Sequence, residues 1–378
     1  MDEYRNQINK IDSEIVRLYK ERMEVAKLIG EYKKENGLPI KDTRREKELL
    51  DTLSEMAGEE DGNGIRSLYS VIFELSRMKQ RKVFDSPSEL AMRMDDAVNS
   101  TEKLFPEKAL VACQGTHGAY SQAAAEKLFK YPSIMFLSSF ENVFSAVDKG
   151  LCRFGVLPLE NSTAGSVNQI YDLMAKYNFS IVKTVRVHVR HSLVAPRGVK
   201  LEDIKEIYSH EQALMQCNGY LGGLKGVKVI PCENTAVAAQ KVAESGRRDI
   251  AAISSKDCAE LYDLNIIQEN INDMKNNYTR FICISKKLEI YPGANKTSIM
   301  MVLPHRAGSL YKILARLNVL GINLNKLESR PLPERNFEFM FYFDIDESIY
   351  SPALRDFLCE AESEALEFRY LGSYTEVF

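Results

Sequence analysis

From Tyr4 to about Glu35 apolar residues recur in steps of three and four. Ile8, Ile11, Ile15, Leu18, Val25 and Ile29 form a stripe, which predicts a long helix with that stripe buried. After a break at Asn36-Gly37-Leu38-Pro39 a second helix is expected from Asp42. A loop from Gly58 to Gly64 should separate it from a third helix, Ile65 into Lys82, whose apolar positions are Leu68, Ile72 and Leu75. The polar stretch from Asp85 to Glu107, with Ser86-Pro87-Ser88, reads as a linker containing a short helix. At Lys108 the pattern changes. Strand-like runs at Ala109–Cys113, Ser133–Leu137, Arg153–Leu159, Phe179–Ala195, Ile204–Tyr208, Val227–Pro231 and Ile250–Ile253 alternate with helical ones, predicting an α/β architecture. Several of these strands end in small polar loops just before helices, at 115–121, 160–166, 209–212 and 233–235. In open α/β folds such ends gather into a crevice that favours anions. Asn277-Tyr278-Thr279-Arg280-Phe281 opens one more strand, and a polar connector, Ser285 to Asn295, follows it. The remainder reads strand (Thr297–Leu303), helix (Gly308–Leu320), strands (Ile322–Glu328 and Phe337–Ile345), helix (Pro352–Ala365) and strand (Arg369–Glu376), a ferredoxin-like βαββαβ order.

Composition narrows the class. The 378 residues suggest two or three domains, and 45% hydrophobic with 27% charged residues reads as globular. Lys and Arg total 50 against 53 for Asp and Glu, a net charge of -3, so no global basic field draws the chain to nucleic acid or to a membrane. No apolar run is long enough for a signal peptide or a membrane span, so a cytoplasmic location is expected. The seven Cys include no Cys-x-x-Cys pair, and of the five His, His188 and His191 fall in a strand-like run. Neither a disulfide framework nor a metal site is expected. Gln114-Gly115-Thr116-His117-Gly118 lacks the glycine spacing of a dinucleotide site, and no cofactor is predicted.

Candidate chemistry begins on the first helix. Arg22 takes a slot in the apolar stripe, and Lys33, about three turns on, shares its face. Two cations on an apolar seam suggest a bound dianion; snorkelling to water is the alternative. Asp42, Arg45 and Glu46 point to one side of the second helix, although Asp42 also suits an N-cap, and Thr43 with Glu46 a capping box. Ser76 and Gln80 put polar groups beside the stripe of the third helix, either for a ligand or for an interhelical hydrogen bond. Thr279 and Arg280 set a hydroxyl beside a guanidinium at a strand start, which by itself also fits an ordinary edge strand.

Arg5, Arg22, Lys33, Asp42, Arg45, Glu46, Ser76 and Gln80 resemble, with their spacing, the site pattern of the all-helical chorismate mutases. That chemistry needs a dianion held in a reactive conformation, with no nucleophile or metal. The resemblance implies that Arg5, Arg22 and Arg45 hold the substrate with help from Ser76. It gives Lys33 and Gln80 to the breaking ether and Glu46 and Asp42 to the ring hydroxyl. Arg5 and Arg22 lie about 25 Å apart along one straight helix, so one small dianion cannot touch both. If both serve a site, Arg5 must reach that of a partner subunit in an intertwined two-fold dimer.

Leu157-Pro158-Leu159-Glu160-Asn161-Ser162 with Gly165-Ser166, Ser209-His210 with Gln216-Cys217, and the Thr279 motif resemble the prephenate dehydratases. These imply a two-lobed α/β domain with a cleft. In it Thr279 would assist the leaving hydroxyl, and Glu160, Asn161, Ser209, Gln216 and Arg280 would line the substrate site. For Arg280 a structural ion pair is an equal alternative. The C-terminal segment resembles the α+β ACT domain: Glu328-Ser329-Arg330-Pro331 is intact, and Gly308-Ser309-Leu310-Tyr311 stands where these dehydratases commonly have Gly-Ala-Leu-Val. L-phenylalanine is the implied effector, a mere oligomerisation module the alternative.

The whole chain thus resembles the bifunctional chorismate mutase/prephenate dehydratase family. The implied domains are mutase 1–90, linker 91–107, dehydratase 108–285 and ACT 296–378. Chorismate and prephenate are the implied substrates, in a homodimer or larger homo-oligomer. An amino-acid-binding regulator with inactive enzymatic domains, and an arogenate dehydratase, are the rival readings.

Overall fold

The structure, a computed structural model, describes residues 1–84, 88–332 and 338–378. Asp85, Ser86 and Pro87 of the expected linker, and Phe337 of the expected strand, lie outside the described residues. Two compact units emerge: Met1–Leu90 with Tyr311–Val319, and Ala91–Leu310 with Leu320–Phe378.

The first unit is helical. α1 (Asp2–Glu35) runs unbroken through a sequence with no proline, and its chain reverses at Gly37, whose φ of 63° suits glycine after a helix end. α2 (Thr43–Arg81) is capped by Asp42, whose carboxylate accepts from Arg45 N at 2.9 Å. The loop expected at 58–64 is confined to Gly58 (φ 76°, ψ 179°), and helix resumes at once. The two arms fold back as a hairpin: Ser54 Oγ donates to Gly62 O, and Arg66 pairs with Asp51 at 2.8 Å. The predicted stripe of α1 is amphipathic but not covered. Ile8, Ile11, Ile15, Leu18, Val25 and Ile29 are all exposed, and Met23, Ala26 and Gly30 are the buried positions instead. A periodic pattern reports which face is apolar, not which chain covers it.

In the second unit α3 (Glu89–Ser100) turns much of the expected linker into a packed helix that buries Met94 and Ala97. The chain then runs β1 (Lys108–Gln114), α4 (Tyr120–Leu128), β2 (Tyr131–Leu137), α5 (Phe140–Asp148), β3 (Phe154–Asn161), β4 (Gly165–Ser166), α6 (Asn168–Lys176) and β5 (Ser180–His188). It continues through β6 (Ser192–Ala195), β7 (Glu206–His210), α7 (Glu211–Met215), α8 (Asn218–Gly222), β8 (Lys228–Cys232), α9 (Thr235–Glu244), β9 (Ile250–Ser254), α10 (Lys256–Leu261), β10 (Asn265–Gln268) and β11 (Tyr278–Ser285). Last along the chain come β12 (Lys296–Val302), α11 (Ser309–Val319), which from Tyr311 on belongs to the first unit, β13 (Asn323–Pro331), β14 (Phe339–Asp346), α12 (Pro352–Glu364), β15 (Glu367–Tyr374) and β16 (Glu376–Val377).

Three sheets result among the described residues. The first has the order β16-β5-β11-β3-β1-β2 with β4 beside β3, the second β10-β6-β9-β7-β8, and the third β13-β14-β12-β15. The run read as one strand from Phe179 to Ala195 is divided at 189–191: β5 belongs to the first sheet and β6 to the second. The chain returns between β10 and β11, so two crossings join two α/β lobes. One core cluster joins the first and third sheets, with Leu157 and Ile282 packed among Met300, Val302 and Tyr342.

Candidate functional site

A cavity of about 550 Å³ opens between the two lobes of the second unit. Helix beginnings supply part of its wall: Ala119, Tyr120 and Ser121 at α4, Ser166 and Val167 at α6, His210 and Gln212 at α7, Asn234 and Thr235 at α9. The dipoles of these helix beginnings favour an anion. Among the described residues Glu233 is the only Asp, Glu, Lys or Arg in the lining.

Thr279 lies at the cavity wall on β11, paired across the ladder with Asn161 on β3. Two backbone groups set the polarity of everything around it. Thr163 N and Ala164 N donate to Asn161 Oδ1 at 3.0 and 2.9 Å, so the Asn161 amide can face only one way. Its Nδ2 then donates to Thr279 Oγ1 at 3.0 Å and to Asn277 Oδ1 at 2.7 Å. Gln216 Nε2 donates to Thr163 Oγ1 at 2.9 Å, and Asn277 Nδ2 donates to Gln216 Oε1 at 2.9 Å. His191 Nε2 completes the set, donating to Gln216 Oε1 at 3.1 Å. Burial keeps His191 neutral, its pKa lowered to about 4. Because Thr279 Oγ1 already accepts from Asn161, its own proton is left to donate into the cavity it lines.

Three expected cleft residues are elsewhere. Side chains alternate along a strand, so Arg280 and Glu160 turn to the opposite face of the sheet from Thr279 and Asn161. There Arg280 Nε meets Glu160 Oε1 at 2.8 Å, and its NH1 donates to the fully buried Asp344. Burial alone would raise the Glu160 carboxyl, yet Arg280 and Lys326 hold it below the usual carboxylate range. The structural-pair alternative for Arg280 is the one found, and neither residue reaches the cavity. Ser209 is fully buried and donates to Ile253 O at 2.6 Å; its neighbour His210 faces the cavity instead. Thr163, His191 and Asn277 were not among the expected site residues. Asn277 stood in the motif that drew attention to Thr279, but His191 and Thr163 carry no sequence signal beyond being polar beside apolar strands.

In the C-terminal segment Glu328 and Arg330, expected at an effector, are engaged within the unit. Ser166 donates to Glu328, and Arg330 grips Asp172 at 2.9 and 3.0 Å. Ser329 is exposed, as is Gly308, whose φ is 84°; Ser309 and Leu310 are half-buried.

The helical unit gathers part of its expected set. Arg22 donates to Ser76 and lies 5.6 Å from the Phe73 ring centre. Gln80 is buried, its Oε1 without a hydrogen-bond partner among the described residues, and a Cβ on Gly30 would meet its Cα at 2.9 Å, so the helices touch there. Lys33 donates to Ile40 O. Glu46 accepts from Arg77, which also pairs with Glu74, rather than forming a capping box. Arg45 is exposed, and Arg5, far out on α1, pairs with Asp2 at 3.4 Å with its side chain 72% exposed.

The fold and cleft define a two-lobed α/β enzyme for a small organic anion, joined to a helical domain with cationic and amide side chains on a buried seam. Residues 4–81 match the family model for chorismate mutase type II, and residues 111–289 that for prephenate dehydratase. A bifunctional chorismate mutase/prephenate dehydratase of Aquifex aeolicus is 30% identical over 99% of this chain and 97% of its own. An arogenate dehydratase/prephenate dehydratase of Arabidopsis thaliana is 36% identical over 79% and 81%. The solved prephenate dehydratase of Arthrobacter aurescens in complex with L-Phe covers 70% of this chain and 89% of its own, with a TM-score of 0.65 at 28% identity. The chain belongs to the bifunctional chorismate mutase/prephenate dehydratase family, and it makes prephenate from chorismate and phenylpyruvate from prephenate.

Proposed function

We propose that Thr279 donates its proton toward the hydroxyl leaving prephenate, while the helix N-termini around the cavity hold the carboxylates. The observation that carries this is the fixed Asn161 amide, which makes Thr279 Oγ an acceptor toward the protein and a donor toward the ligand. A low-dielectric cleft with preset donors stabilises charge that develops on the departing oxygen without reorganisation. Thr279→Ser should keep most of the turnover and Thr279→Val should lose about 10²–10³-fold in kcat, the range for one missing donor. A Val variant with normal kcat would refute the assignment. Glu233 favours a second reading, since its carboxylate suits the amine of arogenate. Side-by-side turnover of prephenate and arogenate separates the two.

In the helical domain, proposed at 1–90, Arg22, Lys33, Ser76 and Gln80 serve chorismate from the α1–α2 seam. Arg5 serves the site of a second copy, with Arg45, Asp42 and Glu46 completing it. Support comes from α1 itself: every residue from 2 to 21 is exposed, Tyr4, Ile8, Ile11 and Ile15 among them, an apolar face that a two-fold partner would cover. The dehydratase domain is proposed at 108–285 and an ACT domain at 296–378. The strand order β13-β14-β12-β15 with two intervening helices supports a ferredoxin-like fold for it. L-phenylalanine is its proposed effector, in line with the L-Phe bound by the Arthrobacter relative, with Gly308, Ser309, Leu310 and Ser329 as contacts. Cytoplasmic residence is proposed as well, supported by seven cysteines that stay thiols rather than disulfides; among the described residues no helix is long and apolar enough to cross a membrane.

A further inference from the structure

Along β13 burial alternates residue by residue. Lys326, Glu328 and Arg330 turn to one side, and Leu327 and Ser329 are exposed on the other. On the inner side all three end on residues 160–172, the stretch joining β3 to α6. Lys326 Nζ donates to Glu160 and, at 2.8 Å, to Ser166 Oγ. Ser166 Oγ in turn donates to Glu328, and Arg330 forms a two-point fork on Asp172.

That stretch also builds the reacting end of the cleft. Thr163 and Ala164 supply the N–H groups that orient Asn161, and Ser166, paired with Glu160 across the β3–β4 ladder, lines the cavity. Lys326 and Arg280 share Glu160, so the grip reaches the residue adjoining Thr279 from both strands. These partly buried charges face away from the cavity. Burying them is unfavourable unless every partner is in place, so their geometry is fixed as a set.

We propose that β13 is the positioning strand of the dehydratase site: Lys326, Glu328 and Arg330 hold residues 160–172 so that Asn161 is aimed at Thr279, and a ligand on the Ser329 face alters turnover by shifting this grip. The second half rests on the effector reading given above. One strand suffices for the coupling, because displacing it from one face moves the side chains on the other.

Two comparisons on the full-length protein test it, with the mutase rate of each preparation as a folding control. In the first, Lys326→Met should lower kcat for prephenate by roughly tenfold or more with KM within about threefold, as expected for misplaced groups. Lys326→Arg, which still brings a cation to Glu160, should recover most of that loss. Equal losses in both variants, or a raised KM at unchanged kcat, would overturn the positioning claim. In the second, L-phenylalanine binding to Glu328→Gln is followed by equilibrium dialysis, and inhibition is scored against the variant's own uninhibited rate. Binding should persist while inhibition weakens about tenfold, a coupling loss of ordinary size. Undiminished inhibition overturns the coupling, and lost binding does so too, by making Glu328 a ligand. Wild type that binds no L-phenylalanine overturns the effector reading and the coupling with it, while the Lys326 comparison still decides the positioning claim.

Discussion

Inside the cleft His191 is 2% exposed and spends its Nε2 proton on Gln216, so the folded chain keeps it neutral. With its pKa lowered from 6.5 to about 4, unfolding takes up a proton between those values. The unfolded chain then binds more protons than the folded one, so stability is complete above about pH 6.5 and falls as the pH drops toward 4. At pH 4.5 the loss from this residue amounts to about 3 kcal/mol. Urea unfolding of wild type and His191→Gln at pH 7 and 4.5 measures it: the wild-type drop should exceed the variant's by about that amount, and parallel drops would mean that His191 is not held neutral. At this scale the sequence was half legible. Thr279, Asn161 and Gln216 were readable because their motifs are dense. Glu160 and Arg280 were placed at the cleft by resemblance alone, with a structural pair left open for Arg280; the period of two along a strand turns both to the face opposite Asn161 and Thr279.

Elements were more legible than contacts. Alternation of apolar and polar positions located most strands of the second unit, but it ran through Val189-Arg190-His191, where the chain changes sheets without any glycine or proline to mark it. β4 and β10 are short enough that no period could develop. The helix α1 was correctly bounded and wrongly covered, since its stripe faces solvent in one chain. In the C-terminal segment the elements run β12, α11, β13, β14, α12, β15 along the chain, and the proposed effector loop begins at Gly308, in the left-handed region that glycine favours. Gly308→Val and Ser329→Ala should therefore weaken inhibition by L-phenylalanine while dehydration persists, read as a rightward shift of the inhibition curve. Unchanged curves in both variants, or full inhibition of a folded chain ending at Lys287, would contradict an effector site there.

At the scale of the whole molecule the chain carries two consecutive reactions, and each site has its own demands. The helical site as proposed, with Arg5 serving it, asks for a second copy. Arg5→Ala and Arg22→Ala chains should each be nearly inactive as mutases, yet unfolding and refolding them together should restore activity. Random pairing makes about half of the dimers mixed, each with one intact site of two, so recovery to roughly a quarter of wild type is expected. No recovery despite demonstrated mixed dimers would place both arginines in one chain's site. A fully active Arg5→Ala protein would make Arg5 an ordinary solvated residue, as its exposure in the single chain also permits.

The dehydratase site, in contrast, lies within one unit of a single chain, and Thr279 is far along the sequence from α1 and α2. The most direct test supplies chorismate to purified Thr279→Ala protein and follows chorismate, prephenate and phenylpyruvate over time. Chorismate should disappear at nearly the wild-type rate, prephenate should accumulate, and phenylpyruvate should form about 10²–10³-fold more slowly. Phenylpyruvate formed at the wild-type rate would contradict the role of Thr279, and a parallel loss of chorismate consumption in a folded protein would contradict the independence of the two sites.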